Sequence, residues 1–419
     1  MEKISVEIMA PVGSYESLMA AIQGGANSVY FGVEHLNMRS RSANNFSIED
    51  LRKIAQIASS NGIKTYLTLN VEVFDNEMQL MRDVLDAAKT SGISAVIAAD
   101  IAVIQYARSI NLEVHISTQV NITNLEAVKF YSNFADVIVL AREMNLGRVC
   151  EISRQINEQQ IKGPSGELVH IEMFVHGALC MGVSGKCYLS LHEMNSSANR
   201  GSCLQTCRRA YIVTDKETGA ELEIENEYIM SPKDLKTIHF LNKILDSGVS
   251  VLKIEGRARS PEYVKTTVQC YREAVDAYFA GTFSEKKISE WDKRLSSVFN
   301  RGFWDGYYLG QRLGEWSGNY GSKATKRKIY AGKCTNYFTK IKIAEFKLEA
   351  MDLNVGDEII ITGPTTGIEQ TIIEEIRVAL EPVETGKKGE MISIPIKTKL
   401  RRADKIYKVV DSKDVINRQ

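Results

Sequence analysis

Cys180, Cys187, Cys203 and Cys207 follow one another at C-x6-C-x15-C-x3-C, inside a segment with short polar and glycine-containing spacers. Thiolates so placed can converge on one point, which is what a soft metal ion or an iron–sulfur cluster requires. Structural zinc usually takes Cys-x2-4-Cys knuckles, so these gaps favour iron–sulfur ligation, although four thiolates serve either metal. The plainer reading is four reduced thiols buried in a core, and that reading is the expectation for the scattered Cys150, Cys270 and Cys334. Arg200, Arg208 and Arg209 flank the group and would offset thiolate charge or simply face solvent. An odd total of seven cysteines without an export signal argues against a disulfide framework.

Other chemistries leave little trace. There is no G-x-S-x-G, no H-E-x-x-H and no G-x-x-x-x-G-K-[ST]. His176 lies close enough to Cys180 in sequence for a thiol–imidazole pair, but four grouped cysteines exceed what a thiol protease needs.

The elements that must position these residues are legible as alternating apolar runs and amphipathic stretches. Strands are expected at 6–11, 28–32, 65–70, 95–100, 113–119, 137–143, 171–177 and 251–256, mostly β-branched or aromatic. Helix-period segments lie between them, at 14–25, 47–61, 77–92 and 123–134, with Ser14 and Ser47 as start signals. Eight such units in about 250 residues predict a TIM-like (β/α)8 barrel, an α/β fold whose active face lies at the strand C-terminal ends. That face would carry Asn70, Asp100, His115, Ser117, Thr118, Gln119, Arg142, Glu143, Glu172, His176, Lys253, Glu255 and Arg257, with Pro11, Gly13, Gly32, Gly177 and Gly256 among them. Polar groups in apolar runs are costly unless paired or functional, and each taken singly also reads as a satisfied core group.

The expected domains are 1–320, the barrel with a cysteine-rich insertion at 178–250, and 327–419, a small β-barrel. The insertion holds a polar loop at 195–200, a hairpin around Asp215–Gly219 and a helical stretch at 233–245. Turn signals at 354–357, 363–367 and 384–387 punctuate the second domain. The 419 residues carry 52 basic and 52 acidic side chains, which gives no global signal for nucleic acid or membrane. From Gly321 onward, however, 19 Lys and Arg stand against 14 Asp and Glu, an excess of +5. Lys326, Arg327, Arg401 and Arg402 are therefore candidate nucleic-acid contacts, or ordinary solvated charges. No signal-peptide pattern and no apolar run of membrane-spanning length is present, so a cytoplasmic protein with no membrane partner is expected.

The run Glu172-x-Phe174-x-x-Gly177-Ala178-Leu179-Cys180-x4-Gly185-x-Cys187-x-Leu189-Ser190 resembles the signature of the collagenase-like peptidase family of unassigned catalytic type. Met9-Ala10-Pro11-Val12-Gly13, Tyr30-Phe31-Gly32, Asn37-Met38-Arg39, His115-x-Ser117-Thr118-Gln119, Leu140-Ala141-Arg142-Glu143, Lys253-Ile254-Glu255-Gly256-Arg257 and Arg301-Gly302-Phe303 extend the likeness across the large domain. The short C-terminal domain resembles the tRNA hydroxylation protein P branch. That resemblance implies a tRNA-modifying hydroxylase that converts wobble uridine to 5-hydroxyuridine. It implies a [4Fe–4S] cluster on Cys180, Cys187, Cys203 and Cys207, prephenate as a linked co-substrate and an electron donor of unknown identity. His115, Glu172, His176, Glu255 and Arg257 are the expected catalytic residues at the barrel mouth. The alternatives are a peptidase, as the family name says, hydroxylation of ribosomal RNA or in ubiquinone synthesis, and a non-catalytic cluster-bearing partner.

Overall fold

A computed structural model describes residues 6–34, 36–40, 45–212, 214–219, 230–311, 314–318 and 321–413. The apolar runs form β1 (Glu7–Pro11), β2 (Ser28–Phe31), β3 (Lys64–Leu69), β4 (Ala95–Ala98), β5 (Glu113–Ile116), β6 (Val137–Val139) and β7 (His170–Ala178), followed by β8 (Asp234–Lys236), β9 (Val251–Ile254) and β10 (Phe303–Trp304). β1 to β7 pair in sequence order, all parallel; β9 pairs in parallel with β7 and with β1 and so closes an eight-stranded barrel. The expected (β/α)8 fold is present.

Helices follow the strands as the periodicity predicts, at Tyr15–Gly24, Asp50–Ser60, Met78–Ser91 and Leu125–Ser132. Ser14 caps the first, its hydroxyl accepting from Ser17 N at 3.2 Å. Ser47 does not cap the second. Asp50 accepts from the Ser47 backbone N–H and hydroxyl instead, and the helix starts at Asp50. The main core lies between the outer strand faces and the helices, with Leu18, Ile54, Leu85 and Val268 all inaccessible. The barrel interior is lined by Met9, Tyr30, Tyr66, Ile97, Val137 and Val251.

β7 departs from regular pairing where it matters. Phe174 faces Lys253 of β9 and His176 faces Ile254, so two residues of β7 advance against one of β9. This bulge reverses the in–out alternation beyond Phe174. Past the bulge the strand extends to pair antiparallel with β8, which β10 joins. The helical period read at 233–245 is accordingly overridden at its start: Asp234–Lys236 is strand because its backbone completes this extension, and the helix occupies only Leu241–Asp246. Asp215–Gly219 turns as expected, Gly219 N donating to Asp215 O at 2.8 Å, while residues 220–229 of that hairpin lie outside the described residues.

The C-terminal strands form one antiparallel sheet in the order Gly367–Ile372, Glu358–Gly363, Lys405–Asp411, Lys326–Phe338, Ile343–Leu348, Met391–Pro395, Ile376–Val378, Glu381–Val383. Alternating residues such as Ala344, Phe346 and Leu348 fill its own core with Ile359, Ile361, Ile392 and Ile406. The turn read at 384–387 is partly strand, because Thr385–Gly386 pairs with Leu353–Asn354. The sheet rests on the helices Tyr15–Gly24 and Pro261–Phe279, where Gln23 exchanges bonds with Thr366 O and Ile368 N, and Lys328 meets Glu262 at 2.8 Å.

Candidate functional site

A cavity opens at the C-terminal ends of the barrel strands, and all four central cysteines line it. Cys180 and Cys187 come from the loop after β7, and Cys203 and Cys207 from the short turns that follow. Local hydrogen bonds fix this loop to the barrel. Asn121 Nδ2 donates to Ser184 O at 3.0 Å, and the Ser40 hydroxyl to Gly201 O at 3.0 Å. Arg208 reaches Pro232 O and Leu179 O, both at 2.6 Å. Gly177 is required where the loop leaves the strand: its φ is +105°, and a Cβ there would stand 2.3 Å from Glu255 O.

All seven cysteines are free thiols. Burial pushes Cys207 up to about 11, and Cys180, Cys203 and Cys187 add to this against the pull of Arg208. Four thiols lining one cavity, with Cys207 raised by burial and by the other three, are a donor set that a cation or cationic cluster would relieve. Among the described residues no three Cys, His, Asp or Glu side chains form a ready-made metal shell. The donor types and their shared cavity therefore fit a cluster, while a closed shell is not preassembled.

The rest of the lining is strongly cationic: Arg39, Arg142, Arg208, Lys253, Arg257, Arg259 and Arg301, against the lone carboxylate Glu255. Glu255 Oε1 lies 3.0 Å from Arg39 Nη2, and Tyr30 donates to Glu255 Oε2 at 3.1 Å. Burial alone would raise this carboxyl, but Arg39, Arg142, Arg257 and the Tyr30 hydroxyl outweigh it and hold it at about 2. Arg257 donates to Thr68 Oγ1 at 2.8 Å, and burial lowers it to about 10. Gly32 makes room for it, since a Cβ there would stand 2.5 Å from Arg257 Nη1 and 2.7 Å from the Asn37 amide carbon. Behind the rim, buried Asp234 steadies Arg301 at 3.4 Å and Arg259 at 3.6 Å. The arrangement suits a carboxylate or phosphate ligand held next to the thiols.

Of the five expected catalytic residues, Glu255 and Arg257 line the cavity and three do not. His176 is turned outward by the bulge, packed among Tyr263, Tyr271 and Phe303, and burial with Lys236 and Arg259 lowers it to about 3. His115 and Glu172 are buried within the barrel and do not line the cavity. Lys253 reaches down from the cavity to Glu172 Oε1 at 2.7 Å. Glu172 Oε2 and His115 Nδ1 face each other at 4.0 Å, each without a hydrogen-bond partner. Asn70, Ser117, Thr118, Gln119 and Arg142 do line the cavity, whereas Asp100 caps the helix Ile101–Ser109.

Among the flanking arginines only Arg208 stands by the thiols; Arg200 pairs with Glu77 and Arg209 with Glu193. Sequence reasoning missed Tyr30, Arg39, Arg259 and Arg301 as lining residues. Three of them lie in motifs that carried the family likeness, which was the signal available. Lys326 is paired with Glu358 at 2.5 Å, while Arg327, Arg401 and Arg402 are exposed. Lys326 pairs with Asp411 and Lys333 with Lys405, so Lys326 and the Arg401–Arg402 turn lie at opposite ends of one ladder. At about 3.4 Å per residue that is roughly 24 Å, so these cations do not make one patch.

No helix among the described residues is long and apolar enough to cross a membrane. The model of peptidase family U32 matches residues 13–318. The chain is 62% identical over 402 residues to a Porphyromonas gingivalis protein named collagenase, covering 96% of this chain and 97% of that one. It is 33% identical over 366 residues to tRNA hydroxylation protein P1 of Bacillus subtilis, covering 85% and 83%. It is 31% identical over 317 residues to the Escherichia coli 23S rRNA 5-hydroxycytidine synthase, covering 74% and 46%. The family match spans the barrel from β2 onward, the cysteine loop and every cation of the cavity, and the chain belongs to peptidase family U32.

Proposed function

We propose that the chain hydroxylates the wobble uridine of tRNA to 5-hydroxyuridine, with an iron–sulfur cluster on Cys180, Cys187, Cys203 and Cys207 and with prephenate as linked co-substrate. The observation that carries this reading is the meeting of four thiols and seven cations in one cavity at the catalytic end of the barrel. When bound, a [4Fe–4S] cluster would supply a Lewis-acidic or redox centre beside the substrate. The chain's own side chains do the remainder. Arg39, Arg257, Arg259 and Arg301 neutralise the carboxylates of an anionic co-substrate, Glu255 and Tyr30 hold Arg39 in place, and the cysteine loop limits water at the thiol side.

The peptidase reading is favoured by the name of the relative at 62% identity. Against it, the ring of His176 is enclosed among Tyr271 and Phe303 on the far side of β7. Modified-nucleoside analysis of tRNA from a strain lacking the gene separates the two. Hydroxylated uridine should disappear and return with the wild-type chain but not with Cys203→Ala. Unchanged tRNA, together with peptide release by the purified chain, would establish the peptidase instead.

A further inference from the structure

Beneath the cavity the barrel interior holds a line of ionisable side chains. Lys253 lines the cavity and donates to Glu172 Oε1 at 2.7 Å. Glu172 Oε2 faces His115 Nδ1 at 4.0 Å, and His115 Nε2 meets Glu113 Oε1 at 3.2 Å. Glu172 and His115 are buried, whereas Glu113, the first residue of β5, is exposed at the end of the barrel away from the cavity. The interior around them is otherwise apolar or aromatic, with Met9, Ile97, Val137 and Val251. Barrels are ordinarily filled by layers of branched apolar residues, and a buried ion pair is weak evidence for stability.

The line has one vacant place. Glu113 is exposed and ionised at neutral pH, so the proton in its contact with His115 sits on Nε2. In a neutral ring Nδ1 then carries a lone pair, and it confronts the carboxylate oxygen Glu172 Oε2. Neither atom has a hydrogen-bond partner among the described residues. A proton between them satisfies both, and a shift of about 1 Å brings the pair to hydrogen-bond length. Other charged and titratable groups are close. Tyr66 packs on the His115 ring at 4.4 Å and donates to Glu7, Lys64 and His170 act on Glu113, and the Tyr30 ring lies 4.8 Å from Lys253 Nζ. Among the described residues none of these bonds to the two facing atoms.

We propose that Lys253, Glu172 and His115 form a buried proton store that takes up the proton released by the reaction in the cavity. The inference rests on the hydroxylase reading for the source of that proton. When a pyrimidine C–H becomes C–OH, the hydrogen leaves the ring as a proton and its bonding electrons stay behind. Six of the seven cations of the cavity are arginines, which neither give nor take protons at neutral pH, and Lys253 is the amine among them. Lys253 Nζ accepts the ring proton as it passes one of its own to Glu172 Oε1. The Glu172 carboxyl then gives a proton from its other side to His115 Nδ1. Lys253 and Glu172 end as they began, and His115 ends as an imidazolium between two carboxylates, one charge gained for one proton received. No electron moves along the line, and the proton returns by the same route when the product leaves. Lys253 is the group that meets the substrate. Glu172 and His115 act through it, and Glu113 orients the ring as a carboxylate orients the imidazole of a catalytic triad.

Nitrogen NMR of the full-length protein, labelled with 15N-histidine, reads the store without any activity. At neutral pH the His115 ring, identified by its absence in His115→Gln, should show one protonated and one bare nitrogen. Lys253→Met removes the charge that balances Glu172, so a proton should enter the vacant place and the bare Nδ1 resonance should shift to the protonated position. A wild-type ring already protonated on both nitrogens, or an Nδ1 that stays bare in Lys253→Met, overturns the proposal. The second measurement is single-turnover hydroxylation of tRNA, which His115→Ala should slow about a hundredfold at unchanged tRNA affinity. Imidazole should restore the rate, and pyrazole, a ring of the same size that takes no proton at neutral pH, should not. Equal rescue by both, or full turnover in His115→Ala, makes the ring a packing group and overturns the proposal. If one variant does not fold, the other measurement decides alone. A shifting Nδ1 in a protein whose deletion leaves tRNA unchanged would uphold the store and defeat the hydroxylase reading; a missing tRNA modification with an unmoved Nδ1 would do the reverse.

Discussion

Replacing Glu255 by Gln removes the one carboxylate of a cavity lined by seven cations. Its side chain is 14% exposed, and its pKa falls from the ordinary 4.5 to about 2. At about 1.4 kcal/mol per tenfold change in proton affinity, the ionised carboxylate stabilises the folded chain by roughly 3 kcal/mol. The folded-state value is depressed, so this stability is complete above about pH 4.5 and is lost as the pH falls through about 2. Urea unfolding followed by circular dichroism should therefore find Glu255→Gln about 3 kcal/mol less stable at pH 7. The gap should shrink to about half near pH 3.3 as the wild-type carboxylate protonates in the unfolded chain. Arg39→Gln should recover part of the loss in the double variant, because Arg39 is the partner at 3.0 Å. A variant as stable as wild type at pH 7, or a gap that stays constant to pH 3, would refute the electrostatic account of this site.

Protein purified without oxygen should contain about four iron and four sulfide per chain. Alanine at any one of Cys180, Cys187, Cys203 or Cys207 should bleach its visible absorbance, and Cys334→Ala should not; one stoichiometric zinc would defeat the assignment. His176→Phe should keep the activity and remove a loss of stability that wild type shows as the pH falls from about 6.5 towards about 3, since the buried ring stays neutral in the fold. Loss of activity in a well-folded His176→Phe would return that residue to the site. If the C-terminal sheet holds RNA, reversing Arg401 and Arg402 to Glu should lower the salt slope of tRNA binding by roughly one to two. Reversing Lys326, already paired with Glu358, should change it little. Equal slopes in all three proteins would leave RNA binding to the large domain.

Strand and helix positions were legible because buried parallel strands must be continuously apolar and the helices between them must present one apolar face. The cysteine group and the strand-end polar residues stood out against those runs. What could not be read was the side of the strand each residue faces once pairing departs from strict alternation. Glu172, Phe174 and His176 share one face of a regular strand, and the bulge after Phe174 sends His176 to the helix layer instead. Depth was equally hidden. Glu172 and Glu255 are both acidic residues on β strands or at their ends, yet one is sealed beneath Lys253 and the other lines the cavity.

The sequence by itself determined that eight strand–helix units would alternate, that four thiols would lie in one loop region, and that the chain would end in short antiparallel strands. Each follows from local pattern: side-chain period, spacing and turn chemistry act over a few residues. The tertiary structure alone decided that the loop after β7 lies over the barrel mouth, and that Arg39, Arg259 and Arg301, from three distant segments, join Glu255 and Arg257 there. These are juxtapositions set by barrel closure between β1 and β9 and by the antiparallel extension of β7, both long-range pairings that no local period encodes.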